Sequence, residues 1–110
     1  MKKSKRIKNK QEFDKFIKTT KYIKNSFFVL HFSKKVQLEN RFGIAVGTSL
    51  GNAVTRNLLK RRTKEIIKDS QNLFQKDLDY IIIVRKSCVG LSYQEMKESL
   101  INLIKIGMQK

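Results

Sequence analysis

The sequence is poor in most of what enzymes and secreted domains are built from. It has one cysteine, one histidine, no proline, no tryptophan, and 9 Asp and Glu against 25 Lys and Arg. A single cysteine, Cys88, excludes an internal disulfide and a multi-cysteine zinc site. Coming directly after an apolar stretch, it is expected as a small buried or half-buried filler. The lone His31 has no Cys, His or carboxylate at a ligand-like spacing, which argues against a metal site or an acid–base pair. Asp77 and Asp79 are close neighbours, but two carboxylates at a strand entrance are expected to serve a turn. Metal-ion hydrolysis of a phosphodiester needs a dedicated acidic cluster, and none is visible. Nor is there a nucleophile paired with a base or a glycine-rich phosphate loop between strand and helix. No apolar run approaches the roughly 18 residues of a membrane-spanning helix. The basic start, Met1 to Arg6, is not followed by the apolar segment of a secretory signal. The expected location is the cytoplasm, with no membrane partner and with no catalytic or metal-binding residue on the chain itself.

What the chain has in excess is positive charge, a formal +16. Self-repulsion of that size weakens a compact state unless a polyanion offsets it, which leaves nucleic acid as the expected partner. With 110 residues and a hydrophobic content of 40 %, the chain is expected to fold as one domain, residues 1–110, and not to remain a disordered basic tail. Half of the excess lies in the first 24 residues, where ten cations meet only Glu12 and Asp14.

A second concentration runs from Gly51 to Lys68. Asn52 is a favoured N-cap, because its side-chain oxygen can accept an unpaired amide of the first helical turn, and no proline or glycine interrupts the chain from there to Lys68. At about 100° per residue, Arg56, Lys60 and Lys64 form one stripe, and Asn57 and Arg61 a second beside it. Thr55, Leu58, Leu59 and Ile66 cover most of the opposite arc. Arg62 falls among them and is expected to run its stem along the surface to water. An ordinary solvated face mixes Glu with Lys at i, i+4, since like charges at that spacing repel. Here Glu65 is the only acid between Asn52 and Lys68, so the stripe costs stability unless an anion sits on it.

Around this helix the chain alternates short elements. Asn9 to Glu12 resembles a capping box and opens a helix through about Lys18, with Phe13, Phe16 and Ile17 on one side. Phe27–Ser33 is predicted as a strand with Phe28, Leu30 and Phe32 toward a core and Phe27, Val29 and His31 on the other face. His31 would then be a polar aromatic on an open sheet face, able to stack on a base. Lys34–Asn40 is expected to be a hairpin loop. Arg41–Gly47 sends Phe42, Ile44 and Val46 inward and Gly43, Ala45 and Gly47 outward, the glycines marking either a twisted edge or the close approach of another backbone. If that small-residue face and the His31 face coincide, the sheet presents a shallow trough. Tyr80–Val84 is continuously apolar, as in a strand buried on both faces near the middle of a sheet. Ser92 to Glu95 is a second capping box, opening a helix with Met96, Leu100, Leu103 and Ile104 in one stripe. The order is α-β-β-(β)-α-β-α. The predicted class is α+β, a small mixed β-sheet packed with about three helices.

Two strings are more specific than composition. Arg41-Phe-Gly-Ile-Ala-Val-Gly47, with Gly51-Asn-Ala-Val-Thr-Arg-Asn-Leu-Leu-Lys-Arg-Arg62 close behind it, resembles the signature of the protein subunit of bacterial ribonuclease P, and the likeness extends over nearly the whole chain. It departs at Leu58, where the family usually has arginine, and at Thr48 and Ser49, where lysines are common. The resemblance implies a fold like the second domain of a small-subunit ribosomal protein, with a left-handed crossover through the basic helix. It implies that a catalytic RNA subunit, with Mg²⁺ bound mainly by that RNA, cleaves the 5′ leader from precursor tRNA. Carried over by position, Asn52, Arg56, Asn57, Lys60, Arg61 and Lys64 fall on the RNA-contacting motif. Phe13, Ile17 and His31 fall on the leader-contacting positions, where Ile17 departs from the aromatic usual there. A ribosomal or other structural RNA-binding protein is the alternative. A DNA-binding helix-turn-helix is disfavoured because strands flank the basic helix.

Overall fold

Cap chemistry starts two of the three helices. The Asn52 side-chain oxygen accepts the Thr55 N–H at 2.9 Å and opens α2, Ala53–Asp69. At α3, Tyr93–Met108, the box is reciprocal: the Ser92 hydroxyl oxygen accepts the Glu95 N–H at 3.1 Å, and the Glu95 carboxylate accepts the Ser92 N–H at 2.9 Å. The computed structural model describes Arg6, Ile7 and residues 10–108. The expected cap of α1, Lys10–Thr19, is Asn9 and lies outside the described residues.

The strands are β1 Lys21–Lys24, β2 Phe28–Lys34, β3 Phe42–Val46 and β4 Leu78–Val84. The strand left unplaced in the predicted order is β1. Together they form one mixed sheet in the order β1-β2-β4-β3, antiparallel between β1 and β2 and between β2 and β4, parallel between β4 and β3. This corrects the hairpin expected at Lys34–Asn40. β2 and β3 are not neighbours; the segment after β2 carries the chain past the end of β4 to its far side. The reason lies in β4 itself, whose Tyr80, Ile81, Ile82 and Val84 are all buried. Only a central strand can bury both faces.

Three layers result. On one face of the sheet, Phe28, Leu30, Phe42, Tyr80, Ile82 and Val84 meet Leu59, Ile66 and Ile67 of α2 and Met96, Leu100, Leu103 and Ile104 of α3 in the main core. Phe42 stacks on Tyr80 with ring centroids 5.6 Å apart, and Phe74 stands edge-on to both. Cys88 is buried in this core, its thiol directed at the Phe27 carbonyl 3.2 Å away. On the other face lies α1, where Phe16 is buried with Ile7 and Ile81, and Phe13, Ile17 and Ile83 are half-buried around them.

Candidate nucleic-acid interface

The cationic helix is held by its apolar side. Leu59, Thr63, Ile66 and Ile67 are buried, which turns Asn52, Arg56, Asn57, Lys60, Arg61 and Lys64 away from the core. None of these six is buried. Among the described residues, no ion pair neutralises Arg56, Lys60, Arg61 or Lys64. Arg56 folds back to donate from Nε to the Gly51 carbonyl at 3.2 Å, fixing it beside the helix start. Arg62 does not simply reach water: its guanidinium donates to the Leu91 carbonyl at 2.9 Å, tying α2 to the entrance of α3. Leu58, at the departure from the family pattern, is half-buried beside Arg61, Arg62 and Tyr93.

The sequence pattern did not reveal one cation that joins this face. Arg6 pairs with Phe42 in a parallel bridge along the open edge of β3, secured by Ile7 N–H donating to the Phe42 carbonyl at 3.1 Å. Arg6, Lys60 and Lys64 therefore line one groove of about 160 Å³ with Gly43 and Ile44. Nothing local in the sequence places Arg6 there. The register against β3 does.

The two faces that a trough requires, the small-residue face of β3 and the His31 face of β2, do coincide. Strand register sets Tyr22, His31, Ile81 and Gly43 in one row across the sheet and Lys24, Val29, Ile83 and Ala45 in the next. α1 crosses the first row. A Cβ on Gly43 would stand 2.8 Å from Cε2 of Phe13, so the close approach marked by this glycine is that of an aromatic ring and not of another backbone. The second row is left half-open, with Val29, Ile83 and Ala45 as floor and Phe13 and Ile17 along the α1 wall.

His31 departs from expectation. It lies on the predicted face, yet it is only 6 % exposed, because Thr20, at the end of α1, and Tyr22 cover it. Its Nδ1 is 3.3 Å from the Thr20 hydroxyl, and its ring lies 5.3 Å from that of Tyr22. Burial lowers its pKa below the ordinary 6.5, favouring the neutral ring.

Asp79 is the second correction. It is no turn residue but a buried one, 1 % exposed. Its Oδ1 accepts the Arg41 backbone N–H at 2.7 Å, and its Oδ2 accepts from the Arg41 guanidinium at 3.2 and 3.4 Å. Arg41 also donates to Glu12 of α1 at 2.8 Å. Burial works against the charge of Arg41, but the hydrogen bonds and charges of Glu12 and Asp79 outweigh it and hold its pKa above the ordinary value. The network pins α1 to the sheet and so fixes one wall of the trough. It also engages the carboxylates of Glu12 and Asp79. Among the described residues no three of His, Cys, Asp and Glu gather as a metal site, and no helix is long and apolar enough to cross a membrane.

Fold and surface together define a small basic α+β protein with a cationic helix face on one side of its sheet and a half-open apolar row on the other. Comparison with known proteins narrows this class to one family. Residues 1–107 match the family model of ribonuclease P, and the chain belongs to that family, with its place in tRNA processing. The ribonuclease P protein component of Streptococcus agalactiae is 36 % identical over 107 residues, 97 % of either chain. That of Streptococcus pneumoniae is 35 % identical over 107 residues, 97 % of this chain and 87 % of the relative. Among solved structures, a Staphylococcus aureus RNase P protein mutant with defective mRNA degradation activity aligns with a TM-score of 0.87 at 30 % identity, covering 96 % of this chain and 90 % of that one. The RNase P protein from Thermotoga maritima aligns at 0.82 and 30 % identity, covering 92 % and 96 %.

Proposed function

We propose that the chain is the protein subunit of a cytoplasmic ribonuclease P ribonucleoprotein, and that it supplies binding while its RNA subunit supplies chemistry. The observation that carries this reading is the unpaired cationic face of α2. Like charges at i, i+4 are tolerated where phosphates neutralise them, and each neutralised phosphate releases counterions. Asn52, Arg56, Asn57, Lys60, Arg61 and Lys64 hold the catalytic RNA. The trough on the far side of the sheet holds the single-stranded 5′ leader of precursor tRNA, with Phe13 and Ile17 as its wall and His31 at its end. His31 acts there through its packing, since little of its ring is open.

The described residues do not fit a magnesium site, because no three of His, Cys, Asp and Glu gather and Asp79 and Glu12 are both engaged by Arg41. The Mg²⁺ used in the reaction is assigned to the RNA. In this division the protein orients the leader, excludes water from the apolar floor and lowers the repulsion between approaching RNA strands.

Recovery of bound RNA from a pull-down of the chain, with sequencing of what is recovered, tests the reading. Enrichment of one structured RNA together with leader-bearing tRNA precursors is expected. Enrichment of ribosomal RNA alone would replace it with the structural alternative. The mRNA degradation attributed to the Staphylococcus aureus relative supports a second reading, in which the protein also acts on messenger RNA. Incubation of the RNA-free chain with an unstructured transcript separates the two.

A further inference from the structure

Tyr22 belongs neither to the cationic face of α2 nor to the leader-contacting positions Phe13, Ile17 and His31. It is 54 % exposed and is the one aromatic among the large, exposed hydrophobic side chains of the described residues. An apolar ring in water gains nothing by itself, and β1 does not need it for pairing, which runs through the backbone. Its position is defined by the register: it stands opposite His31, at the β1 end of the row that continues through Ile81 to Gly43. One side of the ring rests on His31, centroids 5.3 Å apart and planes tilted by 38°. His31 is in turn held by Thr20, so the tyrosine is backed by a fixed, neutral ring. Its other side is open.

Lys24 lies two residues further along β1 and on the same face, about 7 Å away along the strand, and is exposed. A π-face beside a solvated cation, at the end of a half-open apolar floor, is what a nucleotide of single-stranded RNA requires: a stacking surface for the base and a charge for the neighbouring phosphate. From this we infer that Tyr22, supported from beneath by His31, is the stacking platform for one unpaired base of the RNA strand lying in the trough, with Lys24 on its phosphate. The inference rests on the reading that the trough holds the leader. It moves the base contact from His31 to the residue lying on top of it.

The test uses the ribonucleoprotein assembled from the full chain and its RNA subunit, with precursor tRNAs carrying 2-aminopurine at successive leader positions. Stacking should quench the fluorophore at one position with the unchanged protein and with Tyr22→Phe. Tyr22→Ser should abolish that quench and weaken leader-bearing precursor by about tenfold, with mature tRNA bound as before. A serine on an exposed edge strand does not threaten the fold. Loss of the quench in Tyr22→Phe as well would overturn stacking in favour of a hydroxyl contact. If Tyr22→Ser changes nothing whereas Ala45→Glu, in the trough floor, weakens the leader-bearing precursor, the platform is refuted and the trough reading survives. If neither variant changes leader binding, the trough reading fails and the platform with it.

Discussion

At the scale of single residues, burial decides roles that spacing could not. Asp79 and Arg41 are 38 positions apart, and nothing in either neighbourhood announces that they meet; Asp79, two residues from Asp77, has the local look of a turn. Buried together with both carboxylate oxygens occupied, they form a pair that is costly to break, since the remaining charge is left without a partner. Asp79→Ala should lower the unfolding free energy by about 3–5 kcal/mol, read from urea titration. Glu12→Gln should cost much less, because Glu12 is partly in water. His31 gives a second residue-scale expectation. Its pKa is depressed in the fold, so the unfolded chain takes up its proton first as pH falls. The stability it contributes is complete above the unfolded value of about 6.5 and declines as pH drops through the lower, folded value. Unfolding curves between about pH 7.5 and 5 should show this decline, and His31→Gln should flatten it. The burial itself was not legible, because it depends on where α1 ends and on a tyrosine of a strand the alternation did not place. Cys88 was legible, and its burial raises the thiol to about 11. Thiol-specific reagents at pH 8 should label it only after unfolding.

At the scale of elements, the helices were legible and the pairing of strands was not. Asn52 and the Ser92–Glu95 box are local chemistry, so α2 and α3 begin where the residues say. The faces of β2 and β3 were legible too, since a period of two survives any neighbour. Which strand lies beside which is a long-range matter, and the short link after β2 suggested a hairpin that the doubly buried β4 displaces. Two variants address elements directly. Gly43→Ala puts a methyl into Phe13; overpacking of this kind costs about 1–3 kcal/mol and should also weaken leader binding, because the ring it displaces is the trough wall. On α2, each cation that meets a phosphate contributes to the salt dependence of RNA affinity. For about six phosphates the logarithmic slope should be on the order of −4 to −5, and Arg56→Ala or Lys60→Ala should flatten it by roughly one unit each while leaving the fold intact. A slope unchanged in both would move the RNA surface away from α2.

At the scale of the whole molecule, the distribution of charge is what supports the proposed separation of binding from chemistry. Asp79 and Glu12 are taken by Arg41, Asp69 lies at the far end of α2 with Tyr93 and Lys97, and among the described residues no three of His, Cys, Asp and Glu gather. The lone histidine is turned under Tyr22 and carries a lowered pKa, with a hydroxyl and not a carboxylate beside it. A general base needs a path to the attacked group, and His31, held by Thr20 and 6 % exposed, is covered. A field of +16 attracts phosphates, and the proposed division leaves their cleavage to the RNA. The highly purified chain, freed of RNA, should therefore leave precursor tRNA intact in Mg²⁺ buffer over hours, and should support 5′ cleavage once its RNA subunit is added. Chelation should stop that reaction without releasing the protein from leader-free RNA, if α2 binds through its own cations. Specific 5′ processing by the RNA-free protein would end the division of labour between protein and RNA.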